Sequence, residues 1–322
     1  FDPSRTPGGS SGGSAAALAA GFSALDIGSD GGGSIRLPAH FCGVAGIKPT
    51  SYRVSKAGHF PAHTGVATRM GGLGPMARRV RDLRAVLPII LGEDERDPDA
   101  LPSGLDVESD RPIAGIRVAF YTDNGICSVT PETRRMVERS ATALEGAGAR
   151  VTEACLPAFA EGFEIHLGLL IADRRLILEW QKTANTSELH PWVAAGIAYL
   201  DEAAGAFDSN SPTLIHDDWH AYRTVALAFM NDYDVVLSPV APGPALPHGV
   251  LTQAENFEWT SYACIYNVTG WPAAVLRCGT SPEGLPLGLQ VACKPFRDQL
   301  ALEVAVFLED SFGGFCPPPA ME

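Results

Sequence analysis

Two hydrophobic periods run along the chain. From Gly115 to Tyr121 the apolar residues Ile116, Val118 and Phe120 fall on every second position, as in a half-buried strand. Thr130 then sits where a helix N-cap would, with Pro131 as the first helical residue. Met136, Val137, Ala141 and Leu144 recur at helical spacing, and Gly146 and Gly148 end the run. Arg150 to Cys155 reads as the next strand, so the segment forms a strand–helix–strand unit of the α/β class. Helical spacing predicts long helices over Phe163 to Lys182 and Asp217 to Asp232, and a closing amphipathic helix over Asp298 to Leu308. Asp234 to Val240 is a β-rich apolar run. Ala273 to Cys278 and Leu287 to Cys293 flank the turn signal Ser281-Pro282-Glu283-Gly284 and predict a hairpin.

The first fifty residues depart from this pattern. A glycine- and serine-rich stretch, Pro7 to Ser14, precedes a short alanine-rich helix over Ser14 to Ala20, which Gly21 would stop. The apolar run Ala24 to Ile27 predicts a short strand, and a second glycine cluster, Gly28 to Ser34, follows it. Glu93 to Asp99 and Ser103 to Arg111 read as surface loops, and no internal repeat is visible.

Composition narrows the function. Apolar residues make up 46% and charged residues 19% of 322, which excludes a mainly disordered chain. With 24 basic and 37 acidic residues the net charge is −13, which argues against a nucleic-acid binder. Apolar runs such as Ala85 to Leu91 and Leu167 to Ala172 are too short for a membrane span. Seven scattered cysteines without CxxC spacing read as reduced thiols in a cytoplasmic setting, not as a disulfide framework or zinc site.

The candidate chemistry lies in the two glycine clusters, Gly8-Gly9-Ser10-Ser11-Gly12-Gly13-Ser14 and Asp30-Gly31-Gly32-Gly33-Ser34-Ile35-Arg36-Leu37-Pro38. Glycines leave backbone N–H groups unshielded and let a ligand approach them closely. Such groups can hold a developing oxyanion. A hydroxyl closing that loop is a candidate nucleophile once a base takes its proton, and Ser10 could relay that proton. The glycine clusters also admit blander readings, as a flexible linker or a phosphate loop. However, neither Gly-Lys-Ser/Thr nor GxGxxG is present. Cys42 and Cys264 read as small buried residues, and His40 as surface or loop packing. His216 and His220 lie one turn apart on a polar helix face without a third ligand. Trp180, Trp192, Trp219 and Tyr222 suit an acyl pocket or ordinary core.

These clusters, followed by Cys42-Gly-Val-Ala-Gly-Ile-Lys-Pro-Thr50, resemble the signature region of the amidase signature family. Gly74-Pro75-Met76-Ala77-Arg78 and the tail from Asn267-Val-Thr-Gly-Trp-Pro-Ala273 through Gly284 to Gln290 are similar to further blocks of that family. The resemblance covers about the first hundred and last ninety residues. It implies a single α/β amidase domain over residues 1–322, with a large mixed sheet flanked by helices on both faces. It also implies a Ser–cis-Ser–Lys mechanism. Ser34 would be the acylated nucleophile and Ser10 the bridging serine, with a cis Gly9–Ser10 bond. The backbone amides of Gly31, Gly32, Gly33 and Ser34 would form the oxyanion hole. Ser11, Asp30 and Arg36 would support the loops, Asp30 and Arg36 as a pair.

The implied activity is hydrolysis of a small-molecule amide to acid and ammonia or amine, with no metal and no cofactor. A homo-oligomer is compatible with it. The family's catalytic lysine lies upstream of the first serine motif. The lysines here are Lys48, Lys56, Lys182 and Lys294, and Lys48 matches the non-catalytic Gly-x-Lys-Pro-Thr element. The chain is therefore expected to be N-terminally truncated relative to the family. The alternatives are a glutamine-amidohydrolysing A subunit of a tRNA-dependent amidotransferase, and a catalytically inactive truncated amidase-fold chain.

Overall fold

The computed structural model describes residues 1–59, 69–104, 112–183, 191–206, 212–250 and 254–319. Its frame is a mixed eight-stranded sheet, built from β1 (Leu25–Asp30), β2 (Ala45–Lys48), β3 (Gly72–Ala77), β4 (Arg117–Phe120), β5 (Arg150–Glu153), β6 (Val235–Pro239), β7 (Ala273–Thr280) and β8 (Pro286–Cys293). Their order across the sheet is β1-β3-β2-β7-β8-β6-β4-β5. The β4–β5 and β4–β6 pairs are parallel, and the other pairs are antiparallel.

Both faces of the sheet are buried, because successive side chains of a strand point to opposite sides. Val235 and Leu237 enter one core and Val236 the other; Ala274 and Leu276 are likewise separated from Ala273 and Val275. The first core is covered by α3 (Val80–Ile90), α4 (Pro131–Gly146) and α9 (Asp298–Phe312). The opposite face is covered by α1 (Gly12–Ala19), α2 (Arg36–Cys42), α5 (Phe159–Thr183), α7 (Pro212–Phe229) and α8 (Ser261–Thr269). A further helix, α6 (Pro191–Ala206), packs on α5. The mixed sheet with helices on both faces is the expected α/β class.

The local signals account for several elements. Thr130 caps α4, its Oγ1 accepting from the Thr133 N–H at 3.4 Å, with Pro131 at the first helical position. The Ser281 turn closes the β7–β8 hairpin, the Ser281 N–H donating to the Leu285 carbonyl at 2.8 Å. Helix α1 begins two residues before its expected start. The expected loop over Glu93–Asp99 is present, whereas most of the second loop, 105–111, lies outside the described residues. No helix among the described residues is long and apolar enough to cross a membrane.

His40 is a correction. It is fully buried in α2, with Nδ1 accepting from the Gly288 N–H at 2.6 Å and Nε2 donating to the Gly243 carbonyl at 2.9 Å. An imidazole satisfied on both sides is suited to the interior rather than to surface or loop packing. Cys42 and Cys264 are buried as expected, and none of the seven cysteines is in a disulfide. Trp219 and Tyr222 belong to the core between α5, α7 and α8. The side chains of Trp180 and Trp192 lie outside the described residues. His216 is half-buried and His220 exposed on α7, and the described residues hold no metal-ligating cluster.

Candidate active site

The two glycine-rich segments meet at the ends of α1 and α2. The first runs into α1 and contains a cis Gly9–Ser10 peptide bond. Gly8 has φ +80°, and a Cβ there would lie 3.0 Å from the Phe41 ring and 3.1 Å from the Pro38 nitrogen, so only glycine fits. The second segment leaves β1 at Asp30 and enters α2 at Arg36. The Ser11 N–H donates to the Ser34 carbonyl at 3.1 Å, and the Ser11 hydroxyl donates to the Ser29 carbonyl at 3.4 Å. These two bonds tie the motifs together. A Cβ on Gly28 would fall 2.7 Å from the Ser11 Oγ, which shows how closely the segments pack. Ser10 is exposed and Ser34 half-buried.

Asp30 and Arg36 form the expected pair, and both are fully buried. Arg36 Nε donates to Asp30 Oδ2 at 2.9 Å and Nη2 to Oδ1 at 2.9 Å. The carboxylate also accepts from the N–H groups of Gly33 at 2.7 Å and Ile35 at 3.2 Å, and so shapes the turn that carries Ser34. Burial alone would raise the Asp30 pKa. The Arg36 charge, with hydrogen bonds from Arg36, Asn267 and Gly33, outweighs burial and holds the carboxyl well below the usual carboxylate range.

This geometry changes one expected role. The Gly33 N–H points to Asp30, so Gly33 supports the loop instead of facing an oxyanion. The N–H groups of Gly31, Gly32 and Ser34 have no hydrogen-bond partner among the described residues.

Two further residues, Asn267 and Gln290, support the pair without a local sequence signal. Arg36 Nη2 donates to Asn267 Oδ1 at 2.6 Å, and Nη1 to Gln290 Oε1 at 2.8 Å and the Ala263 carbonyl at 2.6 Å. Asn267 Nδ2 returns a bond to the Asp30 carbonyl at 2.9 Å. Gln290 Nε2 donates to the Pro239 carbonyl at 2.6 Å and the Tyr262 carbonyl at 3.1 Å. Both residues stand in the C-terminal blocks that carry the resemblance, where their positions were the available signal. Lys48 is fully buried and donates to the Pro49 carbonyl at 2.9 Å. Burial, reinforced by the Arg36 charge, brings its pKa down to about 7 against the pull of Asp30 and Asp298.

Comparisons with known proteins agree with this architecture. The family model described as Amidase matches residues 1–302. A curated relative, the A subunit of the glutamyl-tRNA(Gln) amidotransferase of Staphylococcus carnosus (strain TM300), is 32% identical over 349 residues, covering 97% of this chain and 68% of the relative. The crystal structure of the Thermotoga maritima protein of the same description superposes with a TM-score of 0.82 at 26% identity, covering all of this chain and 71% of that one. A fatty acid amide hydrolase superposes with a TM-score of 0.81 at 26% identity, covering 97% of this chain and 60% of that one.

Proposed function

The chain belongs to the amidase signature family, and on that footing we propose that it cleaves a small-molecule carboxylic amide with Ser34 as the acylated nucleophile. The observation that carries the reading is the convergence of the two serine motifs through the Ser11–Ser34 backbone bond, beside N–H groups left open at Gly31, Gly32 and Ser34. Ser34 Oγ attacks the carbonyl carbon, and its proton passes through the Ser10 hydroxyl to a base. The resemblance implies a lysine in that last position. The open N–H groups hold the oxygen as it becomes negative, each worth about 3–4 kcal/mol in such a site. The leaving nitrogen takes the proton and departs, and water then hydrolyses the ester on Ser34. The free cysteines support a reducing, cytoplasmic setting for this chemistry.

A second reading is glutamine amidohydrolysis as the A subunit of an amidotransferase, favoured by the description of the Staphylococcus carnosus relative. It requires ammonia release from glutamine and dependence on a partner protein.

The test is fluorophosphonate labelling of the chain with mass-spectrometric mapping of the adduct. The expected adduct is on Ser34, lost in Ser34→Ala and formed more slowly in Ser10→Ala. An adduct on another residue refutes the assignment. A folded wild-type chain that forms none refutes an activated Ser34 and favours a catalytically inactive chain.

A further inference from the structure

Next to the Ser34 loop stands an imidazole that the mechanism above does not use. His166, on α5, is 2% exposed, and its Nδ1 has no hydrogen-bond partner among the described residues. A Cβ built on Gly32 would lie 3.1 Å from both Cε1 and Nε2 of that ring. The ring edge therefore fills the side-chain space of Gly32 and reaches the loop between Asp30 and Ser34. Because the two atoms are equally distant, either flip of the ring leaves Nε2 at the loop.

Burial keeps this imidazole neutral. It drives the pKa down to about 4, with Asp30 pulling it up and Arg36 pushing it down. A neutral ring has one N–H and one bare nitrogen. A proton on Nδ1 would bury a donor with nothing to receive it, which is rarer in folded proteins than a buried lone pair left unmatched. The proton accordingly belongs on Nε2, the nitrogen at the loop.

We propose that His166 is a further catalytic residue of this site, its Nε2–H donating to the carbonyl oxygen of the bound amide beside the open backbone N–H groups of the Gly31–Ser34 loop. The proposal rests on the reading of Ser34 as nucleophile. No proton is transferred in the step. The imidazole stays neutral, and its hydrogen bond shortens as the carbonyl oxygen takes on charge. A neutral imidazole of depressed basicity suits this task, since it offers a donor without placing a buried positive charge beside Arg36. It also explains why Gly32 bears no side chain, because a Cβ would displace the donor.

The experiment compares wild type, His166→Phe and His166→Gln in the rate of fluorophosphonate adduct formation at Ser34, with a melting curve for each. Phenylalanine keeps the ring and removes the donor, whereas the glutamine amide restores an N–H near the Nε2 position. The expected result is labelling slowed about 100-fold in His166→Phe and within about fivefold of wild type in His166→Gln. Equal rates in wild type and His166→Phe overturn the proposal and leave the Ser34 reading standing. So does a His166→Gln variant as slow as His166→Phe. A folded wild-type chain with no Ser34 adduct overturns both. The tautomer is read independently of any variant, from proton–nitrogen correlation spectra of histidine-labelled wild-type protein. An Nε2–H tautomer is expected, and an Nδ1–H tautomer overturns the proposal.

Discussion

Replacing Arg36 by methionine tests the central support of the site. All five guanidinium N–H groups are used: Nε and one Nη2 hydrogen on Asp30, the other Nη2 hydrogen on Asn267, and the two Nη1 hydrogens on Gln290 and the Ala263 carbonyl. Methionine fills similar space and supplies none of them. Asp30 then keeps its backbone donors at Gly33 and Ile35 but loses its counter-charge, at zero exposure to water. Removing one partner of a buried ion pair costs about 3–5 kcal/mol, and three orphaned acceptors push the loss toward the upper end. At about 2.1 cal/mol/K of unfolding entropy per residue, a loss of about 5 kcal/mol lowers Tm by roughly 7 °C for 322 residues.

Activity falls as well, because the carboxylate that Arg36 holds ionised also positions the Gly33 and Ile35 N–H groups on either side of Ser34. Thermal melting and Ser34 labelling measure the two effects. The double variant Asp30→Asn with Arg36→Met removes the stranded charge, so its stability loss is less than the sum of the single losses. An Arg36→Met protein that melts within a degree of wild type and labels at the same rate refutes the reasoning.

Two further outcomes follow from the same geometry. Gly33 has φ +107°, and a Cβ there would lie 2.7 Å from the Ala263 Cβ, so Gly33→Ala is expected to lose about 2–3 kcal/mol in urea unfolding and to slow labelling at Ser34; wild-type stability with a wild-type rate counts against the described loop. His40 is neutral in the fold, its pKa drawn by burial from 6.5 to about 4. The unfolded chain therefore takes up a proton below pH 6.5 that the folded chain refuses. Stability is fully present above that pH and falls as pH drops toward 4, by about 3 kcal/mol from this residue. Urea midpoints at pH 7 and pH 5 should drop less in His40→Gln, and an equal drop in both proteins contradicts the assignment.

Helix α4 is legible in the sequence because one of its faces meets solvent and the other the core. Helix α4 exposes Arg135, Glu138 and Arg139 while burying Met136, Val137 and Leu144, and its period is plain. Helices α2 and α8 bury every residue they contain, and strand β2 does the same. With no polar face α2 and α8 show no helical period, whereas the equally buried β6 and β8 are marked by an apolar run and by the turn signal beside it. The supporting shell was hidden for another reason. Arg36 meets Asn267 and Gln290 across 231 and 254 positions of chain, and such distances leave no local signal. The sequence expectation of an oxyanion role for Gly33 fails because a run of glycines does not disclose which N–H each residue aims outward. The Asp30 carboxylate decides that.

The strand order explains why the motifs stand at the two ends of the chain while the site is one object. Strands β1, β3 and β2, which come from the N-terminal blocks, lie directly against β7 and β8 from the C-terminal block. The β2–β7 seam joins them through the pairs Gly46–Val275 and Lys48–Ala273. The strand–helix–strand unit of the middle chain occupies the far edge as β4 and β5, away from the serine loops. Helix α8 then reaches across, with Asn267 holding Asp30 and the Ala263 carbonyl holding Arg36. The loop bearing Ser34 is thus held from two sides, by Asp30 within its own segment and, through Arg36, by Asn267, Gln290 and the Ala263 carbonyl. A change at Asn267 or Gln290 acts, through Arg36 and Asp30, on the loop bearing Ser34.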